Sequence, residues 1–319
     1  MKILITGGSG FIGTNLIAYY LERGEEVLNI DSKSPRNKEH DLYWRECDIR
    51  DYETLHRIVR DFKPEYILHM AATTGLDGKN IDDYSSNTVG VENIIRLSRE
   101  LKGIRKTIYT STMLVCKAGY YPSSDHDYCA TTLYGESKIK GELAVRNEGS
   151  DLNWTIIRPT SIWGPWFGRT YRDFFVSIYK GRYFNFAGGM CTKTYGYIGN
   201  VVYQIDSILS DETTNGKTLY VGDYVPTRIN EWADEIASEF GRKVYAVPRV
   251  MVRLGAFTGD VLKLAGIRFP LNSFRFSNMT TDNILDLSST ALTAPKTKFS
   301  RSEGNRQTIE WMREHGFLG

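Results

Sequence analysis

Neither sign of charge dominates this chain: 40 lysines and arginines stand against 38 aspartates and glutamates, a formal net charge of +2. The cations are dispersed rather than blocked, so no basic surface on the scale of nucleic-acid binding is expected. Cysteine is scarce. The four residues at 47, 116, 129 and 191 include no C-x-x-C pair, which argues against both a disulfide framework and a zinc site. The five histidines are isolated, so no metal is expected. No apolar run approaches the roughly 20 residues of a membrane span, and the first strand leaves no room for a signal peptide. The expectation is a cytoplasmic protein with no membrane and no nucleic-acid partner. Internal repeats and low-complexity tracts are also lacking.

What is present begins at once. The segment MKILITGGSGFIG joins an apolar strand, Ile3-Leu4-Ile5, to a helix whose buried face is marked by Phe11, Ile12, Leu16, Ile17 and Tyr20. Glycines 7, 8, 10 and 13 lie at the join and satisfy both G-x-G-x-x-G and the wider G-x-x-G-x-x-G spacing. Without Cβ atoms such a turn lets the backbone approach a pyrophosphate, whose charge the amides of the helix N-terminus then hold. The second strand, Val27 to Ile30, ends in Asp31, eighteen residues after Gly13. A carboxylate there accepts hydrogen bonds from both adenosine ribose hydroxyls and repels a 2′-phosphate. Lys33 and Arg36 follow closely; either could neutralise a 2′-phosphate if the loop folded back, although their more common role is a solvated surface.

Strands and helices alternate through residue 158. Tyr43 to Cys47, Tyr66 to His69, Lys106 to Thr110 and Trp154 to Arg158 read as strands, and Tyr52 to Phe62, Asn87 to Leu101 and Leu133 to Asn147 as helices. Ser32 to Asp41 reads as loop. This alternation implies a parallel sheet with helices on both faces. Beyond Pro159 aromatics, glycines and short segments dominate, and helices return at Glu231 to Phe240, Val250 to Leu264 and Arg306 to His315. The fold class is therefore α/β: a Rossmann-type doubly wound parallel sheet with a smaller, interleaved C-terminal substrate domain. The expected boundaries are 1–165 for the dinucleotide domain, with 196–222 returning to it, and 166–195 plus 223–319 for the substrate domain.

Tyr134-Gly-Glu-Ser-Lys138 supplies the chemistry. Tyr-x-x-x-Lys alone means little, since chance yields about one match in a chain this rich in both residues. Here it opens a helix soon after the strand ending Thr110-Ser111-Thr112, where ligands of such sheets bind. Oxidising an alcohol requires a base to take the hydroxyl proton as hydride leaves. Free tyrosine, with a pKa near 10, is a poor base at neutral pH. A lysine one helical turn away favours the phenolate by its charge.

On these residues the chain resembles the extended short-chain dehydrogenase/reductases, in particular the NAD-dependent epimerase/dehydratase family acting on nucleotide sugars. The resemblance is specific from residue 1 to about 222 and looser beyond. TGGSGFIG resembles the family's TGxxGFIG loop, Asp48-Ile49 its adenine-contacting pair, His69-Met-Ala-Ala72 its HxAA strand end, and Asn87-Thr-Val-Gly-Val-Glu-Asn93 its NxxGTxN helix. The resemblance implies bound NAD, with Gly7, Gly10, Phe11, Ile12, Gly13, Asp31, Asp48, Ile49, Met70, Ala71, Ala72, Asn87, Tyr134 and Lys138 at the cofactor. It implies Thr112, Tyr134 and Lys138 as catalytic residues, and Thr73, Ser111, Thr112, Ser161 and Lys193 at the substrate. A homodimer through the helices at 87–101 and 133–147 is implied as well.

Departures from the family pattern narrow the reaction. Sugar 4,6-dehydratases carry Asp-Glu directly after the catalytic Thr, whereas this chain has Met113-Leu114, which cannot perform that proton transfer. Ser161 replaces the Asn of RPxNVYGP, Lys193 stands at the place of a phosphate-binding Arg, and Cys116 replaces the Tyr of VYG. The leading reading is a nucleotide-sugar epimerase or oxidoreductase. A dehydrogenase or reductase of a sterol-like alcohol is the alternative, suggested by the apolar segment Val250 to Leu271. A non-catalytic NAD sensor is the third reading. From Asp31, kcat/KM with NAD is expected to exceed that with NADP clearly; comparable efficiency with the two cofactors would overturn that role for the carboxylate.

Overall fold

The computed structural model describes residues 1–189, 191–264 and 273–319. The first half alternates as β1 (Lys2–Thr6), α1 (Phe11–Glu22), β2 (Glu26–Asp31), β3 (Trp44–Glu46), α2 (Tyr52–Phe62), β4 (Tyr66–His69), α3 (Val89–Glu100), β5 (Lys106–Thr110), α4 (Leu133–Glu148) and β6 (Trp154–Pro159). The excursion that follows comprises β7 (Ser161–Trp163), α5 (Arg169–Tyr179), β8 (Phe184–Phe186), β9 (Thr192–Lys193) and β10 (Tyr195–Tyr197). Then come α6 (Ile198–Ser210), β11 (Lys217–Val221), β12 (Thr227–Arg228), α7 (Ile229–Glu239), β13 (Tyr245–Val247), α8 (Arg249–Leu264), α9 (Ser273–Thr280), α10 (Ser288–Thr293) and α11 (Arg301–Glu314).

Seven strands form one sheet in the order β11-β6-β5-β4-β1-β2-β3, and every pair is parallel. β1 shows why: Ile3, Leu4 and Ile5 are buried without alternation, because helices cover both faces of the sheet. One face carries Leu4, Ile30, Leu55, Val59, Ile94 and Ile156 beneath α2 and α3. The other carries Ile3, Ile5, Ile17 and Ile205, and extends into an aromatic cluster of Trp163, Phe175, Tyr195, Tyr197 and Trp232. After leaving the sheet at Pro159 the chain re-enters it at Lys217, where β11 pairs with β6.

Local signals account for most element ends. The Asp51 side chain accepts from Thr54 N at the start of α2, and Lys63 closes that helix in the left-handed region before Pro64. Most bounds shift by a residue or two, and three larger differences from the sequence reading stand out. The Asn80 side chain accepts from Asp83 N while Asp83 caps it in return, so a separate 3₁₀ turn spans Ile81–Asn87 and α3 starts only at Val89. A 3₁₀ turn at Lys38–Tyr43 occupies part of the expected loop. A second capping box, Ser300 with Glu303, starts α11 at Arg301 rather than Arg306. Residues 265–271, the end of the apolar segment noted above, lie outside the described residues.

A buried charge cluster ties α4 to β6. Arg158 donates from Nε to Glu142 Oε1 at 2.9 Å and from Nη2 to Glu142 Oε2 at 2.7 Å, and Tyr128 donates to the same carboxylate at 3.0 Å. Both charged side chains are almost completely buried. Their mutual attraction is set against a large desolvation cost, so losing one partner is far worse than losing both. Glu142→Gln is expected to lower unfolding stability by about 3–5 kcal/mol. The apolar double variant Glu142→Leu/Arg158→Met should lose much less; equal losses in denaturant titration would show that the pair is not compensated in this way.

Candidate active site

The order of the sheet strands reverses between β1 and β4, and a cleft of about 880 Å³ opens above their C-terminal ends. The turn after β1 forms its floor. Gly7 has φ +72°, and a Cβ placed there would lie 2.5 Å from Ala71 N; a Cβ on Gly13 would lie 2.3 Å from Gly7 O. Only glycine permits this approach of turn to strand end. Gly10 caps α1 with no side-chain hydrogen bond, and the first turn holds no acid, so the helix presents unpartnered amides to the cleft.

Asp31, at the end of β2, accepts from Ser9 N at 3.1 Å and Lys33 N at 2.9 Å, one bond to each carboxylate oxygen. Each oxygen keeps a lone pair for a ribose hydroxyl. Lys33 and Arg36, whose more common role is surface, both line the cleft, and Arg36 donates to Trp166 O at 2.6 Å. Asp48 is held by a fork from Arg50, while the Asn93 side chain donates to Ile49 O and Arg50 O and so fixes the loop expected at the adenine. These features suit a dinucleotide: a cradle that a Cβ would fill, an uncapped helix N-terminus and a prepared carboxylate.

The other end of the cleft gathers Thr112, Tyr134 and Lys138. Thr132 accepts from Gly135 N and so starts α4 where Tyr134 falls in its first turn, with Lys138 one turn on along the same helix. Thr112 Oγ1 accepts from Leu114 N at 3.2 Å, which leaves its proton free to be donated towards the Tyr134 oxygen. Burial raises the Tyr134 pKa, the Thr112 hydrogen bond lowers it and Tyr84, whose ring lies 6.2 Å away, raises it; the net shift is upward. Burial lowers the Lys138 pKa to about 8, against the opposing pull of Glu142 one turn further on. His69, bonded through Nδ1 to Thr6 Oγ1 at 2.7 Å, is held neutral by burial, reinforced by the charge of Lys138.

Gly7, Gly10, Phe11, Ile12, Gly13, Asp31, Asp48, Ile49, Met70, Ala71, Ala72, Thr73, Ser111, Thr112, Tyr134 and Lys138 all line this one cleft. Asn87 lies behind it: its side chain donates to Thr73 O and Ser137 Oγ and accepts from Thr73 N, clamping the end of β4 to α4. Ser161 and Lys193 are outside the lining. Ser161, half-buried on β7, is hydrogen-bonded to Tyr171, and Lys193 is half-buried on β9. Cys116 is buried away from the cleft and donates to Asp127 O. Met113 is tied by its sulfur to Asn283. Sequence reading missed Thr160, which lines the cleft with a buried hydroxyl that has no hydrogen-bond partner, as does Ser111 Oγ. Thr160 is the unspecified position of RPxNVYGP, and its place directly after β6, at the C-terminal end of a sheet strand, is the signal that could have found it.

Comparison with known proteins agrees with this picture. The model of the NAD dependent epimerase/dehydratase family matches residues 3–222. The chain is 24% identical to the N-acetyl-alpha-D-glucosaminyl-diphospho-ditrans,octacis-undecaprenol 4-epimerase of Escherichia coli O157:H7, over 97% of this chain and 95% of that protein. It is 27% identical to the UDP-glucose 4-epimerase of Mycolicibacterium smegmatis, over 76% of this chain and 83% of that protein. Among solved structures, the UDP-glucose 4-epimerase of Thermotoga maritima with UDP-glucose superposes with a TM-score of 0.76 at 22% identity, covering 99% of each chain.

The depressed Lys138 pKa has a definite sign. Below about pH 8 the ammonium is charged in both folded and unfolded chains, and the folded state bears its burial cost in full. Between about 8 and the ordinary value of 10.5 the folded protein releases the proton first, so that cost fades as pH rises. Lys138→Met should therefore stabilise the protein most below pH 8 and progressively less above it, as read from denaturant midpoints across pH; an advantage that grows with pH would contradict the assignment.

Proposed function

The chain belongs to the NAD dependent epimerase/dehydratase family, and from that premise we propose that it is a nucleotide-sugar epimerase that oxidises a sugar hydroxyl, at C4, and reduces the ketone from the opposite face. The observation that carries this reading is the convergence of Thr112, Tyr134 and Lys138 at one end of the cleft, with Met113-Leu114 beside them where elimination of water would need an acid and a base.

Bound NAD supplies the hydride acceptor and then the hydride donor. The protein does the rest. Thr112 holds the sugar oxygen within reach of Tyr134, and the tyrosine oxygen takes the hydroxyl proton as the C4–H bond breaks. Lys138, one turn along α4, would bond the nicotinamide ribose, and its charge with that of bound NAD would offset the upward shift that burial imposes on Tyr134. When the ketone turns its other face, the same tyrosine returns the proton to the oxygen and C4 is inverted with no net redox change. The partly enclosed site restrains escape of the ketone. Ser111, which lines the cleft beside Thr112, is assigned to the substrate as well.

The relative matched over nearly the whole chain acts on a sugar diphosphate carried by a polyprenol. The glycosyl diphosphate is the chemistry shared with the nucleotide sugars, and the nucleoside is the carrier we assign here. We extend the reading to a cytoplasmic homodimer packed through α3 and α4, on which Val89 and Leu143 leave apolar surface exposed. The four cysteines form no disulfide among the described residues. Among those residues no helix is long and apolar enough to cross a membrane.

Two measurements test the reading. Thermal shift against UDP-, GDP- and dTDP-sugars should show stabilisation by one class, and that sugar should interconvert with its C4 epimer without accumulating reduced cofactor. Tyr134→Phe should lose turnover by about 10²-fold or more while still binding NAD. Near-normal turnover in that variant, or no stabilisation by any nucleotide sugar, would defeat the assignment.

A further inference from the structure

The helix α8 lies outside the machinery described above and has an unusual surface. Val250, Met251, Leu254 and Phe257 are each between 62% and 70% exposed, whereas Val252 and Ala256 are only 4% and 1% exposed. The exposed residues recur at helical spacing along one face, and the buried ones lie on the opposite face. The helix is thus anchored to the protein by its narrow small-residue side and turns its larger apolar side to solvent. Four large apolar side chains in contiguous exposure are more than the single scattered residues a soluble surface ordinarily carries.

Charge around this face is predominantly positive, Asp260, which accepts from Ser273 N, being the one acid on α8. From Phe240 to Gly259 the chain contains no aspartate or glutamate and four cations, Arg242, Lys243, Arg249 and Arg253, all exposed. In a chain whose total charges nearly cancel, this is a local excess, and Arg249 and Arg253 border the apolar stripe one turn apart. A protein partner would have to offer an acidic rim and an apolar groove together, and binding to vesicles with no other protein present separates that occupant from a bilayer. A second copy of the helix would match the stripe and set arginine against arginine. An anionic bilayer satisfies both: acyl chains receive Leu254 and Phe257, and lipid phosphates meet the guanidinium groups.

We propose that α8 is an interfacial helix that docks the protein on an anionic membrane surface without crossing it. This stands apart from the catalytic assignment, since none of these residues lines the cleft. It also revises the expectation from sequence that no membrane is involved. That expectation rested on the lack of a spanning segment, and a helix lying in the interface needs none. The seating is peripheral and reversible, because one short helix buries only a few side chains in the headgroup region.

Co-sedimentation of the full chain with vesicles decides the matter. The intact protein should bind vesicles of phosphatidylcholine containing phosphatidylglycerol about tenfold more strongly than vesicles of phosphatidylcholine alone, and raised salt should weaken that binding several-fold. Leu254→Glu/Phe257→Glu should abolish sedimentation at an unchanged melting temperature, and Arg249→Gln/Arg253→Gln should reduce it by about tenfold. NAD binding measured on the same samples should be equal in all variants. Failure of the intact protein to bind anionic vesicles overturns the proposal. So does a monomer–dimer equilibrium that the Leu254→Glu/Phe257→Glu variant disrupts while vesicle binding is absent, which would make the face a contact between copies. Loss of turnover in Tyr134→Phe with vesicle binding intact leaves the docking helix standing and bears on the catalytic reading alone.

Discussion

The closeness of the first turn to the end of β4 is the constraint on which the site rests. Gly7 lies so near Ala71 that no side chain fits between them, and Thr6 binds His69 across the same pair of strands. With β1 and β4 locked at this point, the sheet reverses its strand order there and a cleft opens above it. The contacts then run outward: Ala72 leads to Thr73, which Asn87 holds by two hydrogen bonds, and Asn87 also reaches Ser137 between the two residues proposed for proton transfer. A displacement of the glycine turn would thus be felt near Tyr134 through the chain from Ala71 to Thr73 and the hydrogen bonds of Asn87 to Thr73 and Ser137.

The cleft has two differently built halves. The half suited to a dinucleotide uses backbone amides and short-range side chains, as where Asp31 is fixed by the amides of Ser9 and Lys33. The reactive half is dominated by burial. Lys138 is placed so deep that its charge is only marginally favoured, and Glu142, itself matched by Arg158, is the counterweight. A charged group held near its titration point is poised to respond to a change in a neighbouring charge, which is what the proton transfer proposed for Tyr134 demands of it.

Much of the fold was legible because its signals are local. Apolar runs between glycine or proline breaks identified β1, β4, β5 and β6, and periodicity identified α2 with its full length. The bounds that differed also have local causes: the capping boxes at Asn80 and at Ser300 each start a helix where apolar spacing alone does not. Asp31 and the Tyr134–Lys138 pair were legible because each is set by distance along the chain from a recognisable element. The place of Arg36 in the cleft and the partnership of Glu142 with Arg158 were not, because their surroundings come from segments far apart in sequence.

The sequence by itself determined the alternation of strand and helix, the glycine turn, the carboxylate after the second strand and the residue types of a proton-transfer site, since each depends on spacing within one or two elements. Only the tertiary structure decided which of the proposed substrate residues share the cleft, leaving Ser161 and Lys193 outside its lining, and which face of α8 meets solvent. Those outcomes follow from how the segments after Pro159 pack on the sheet, and packing is a property of pairs of surfaces that no single stretch of chain encodes.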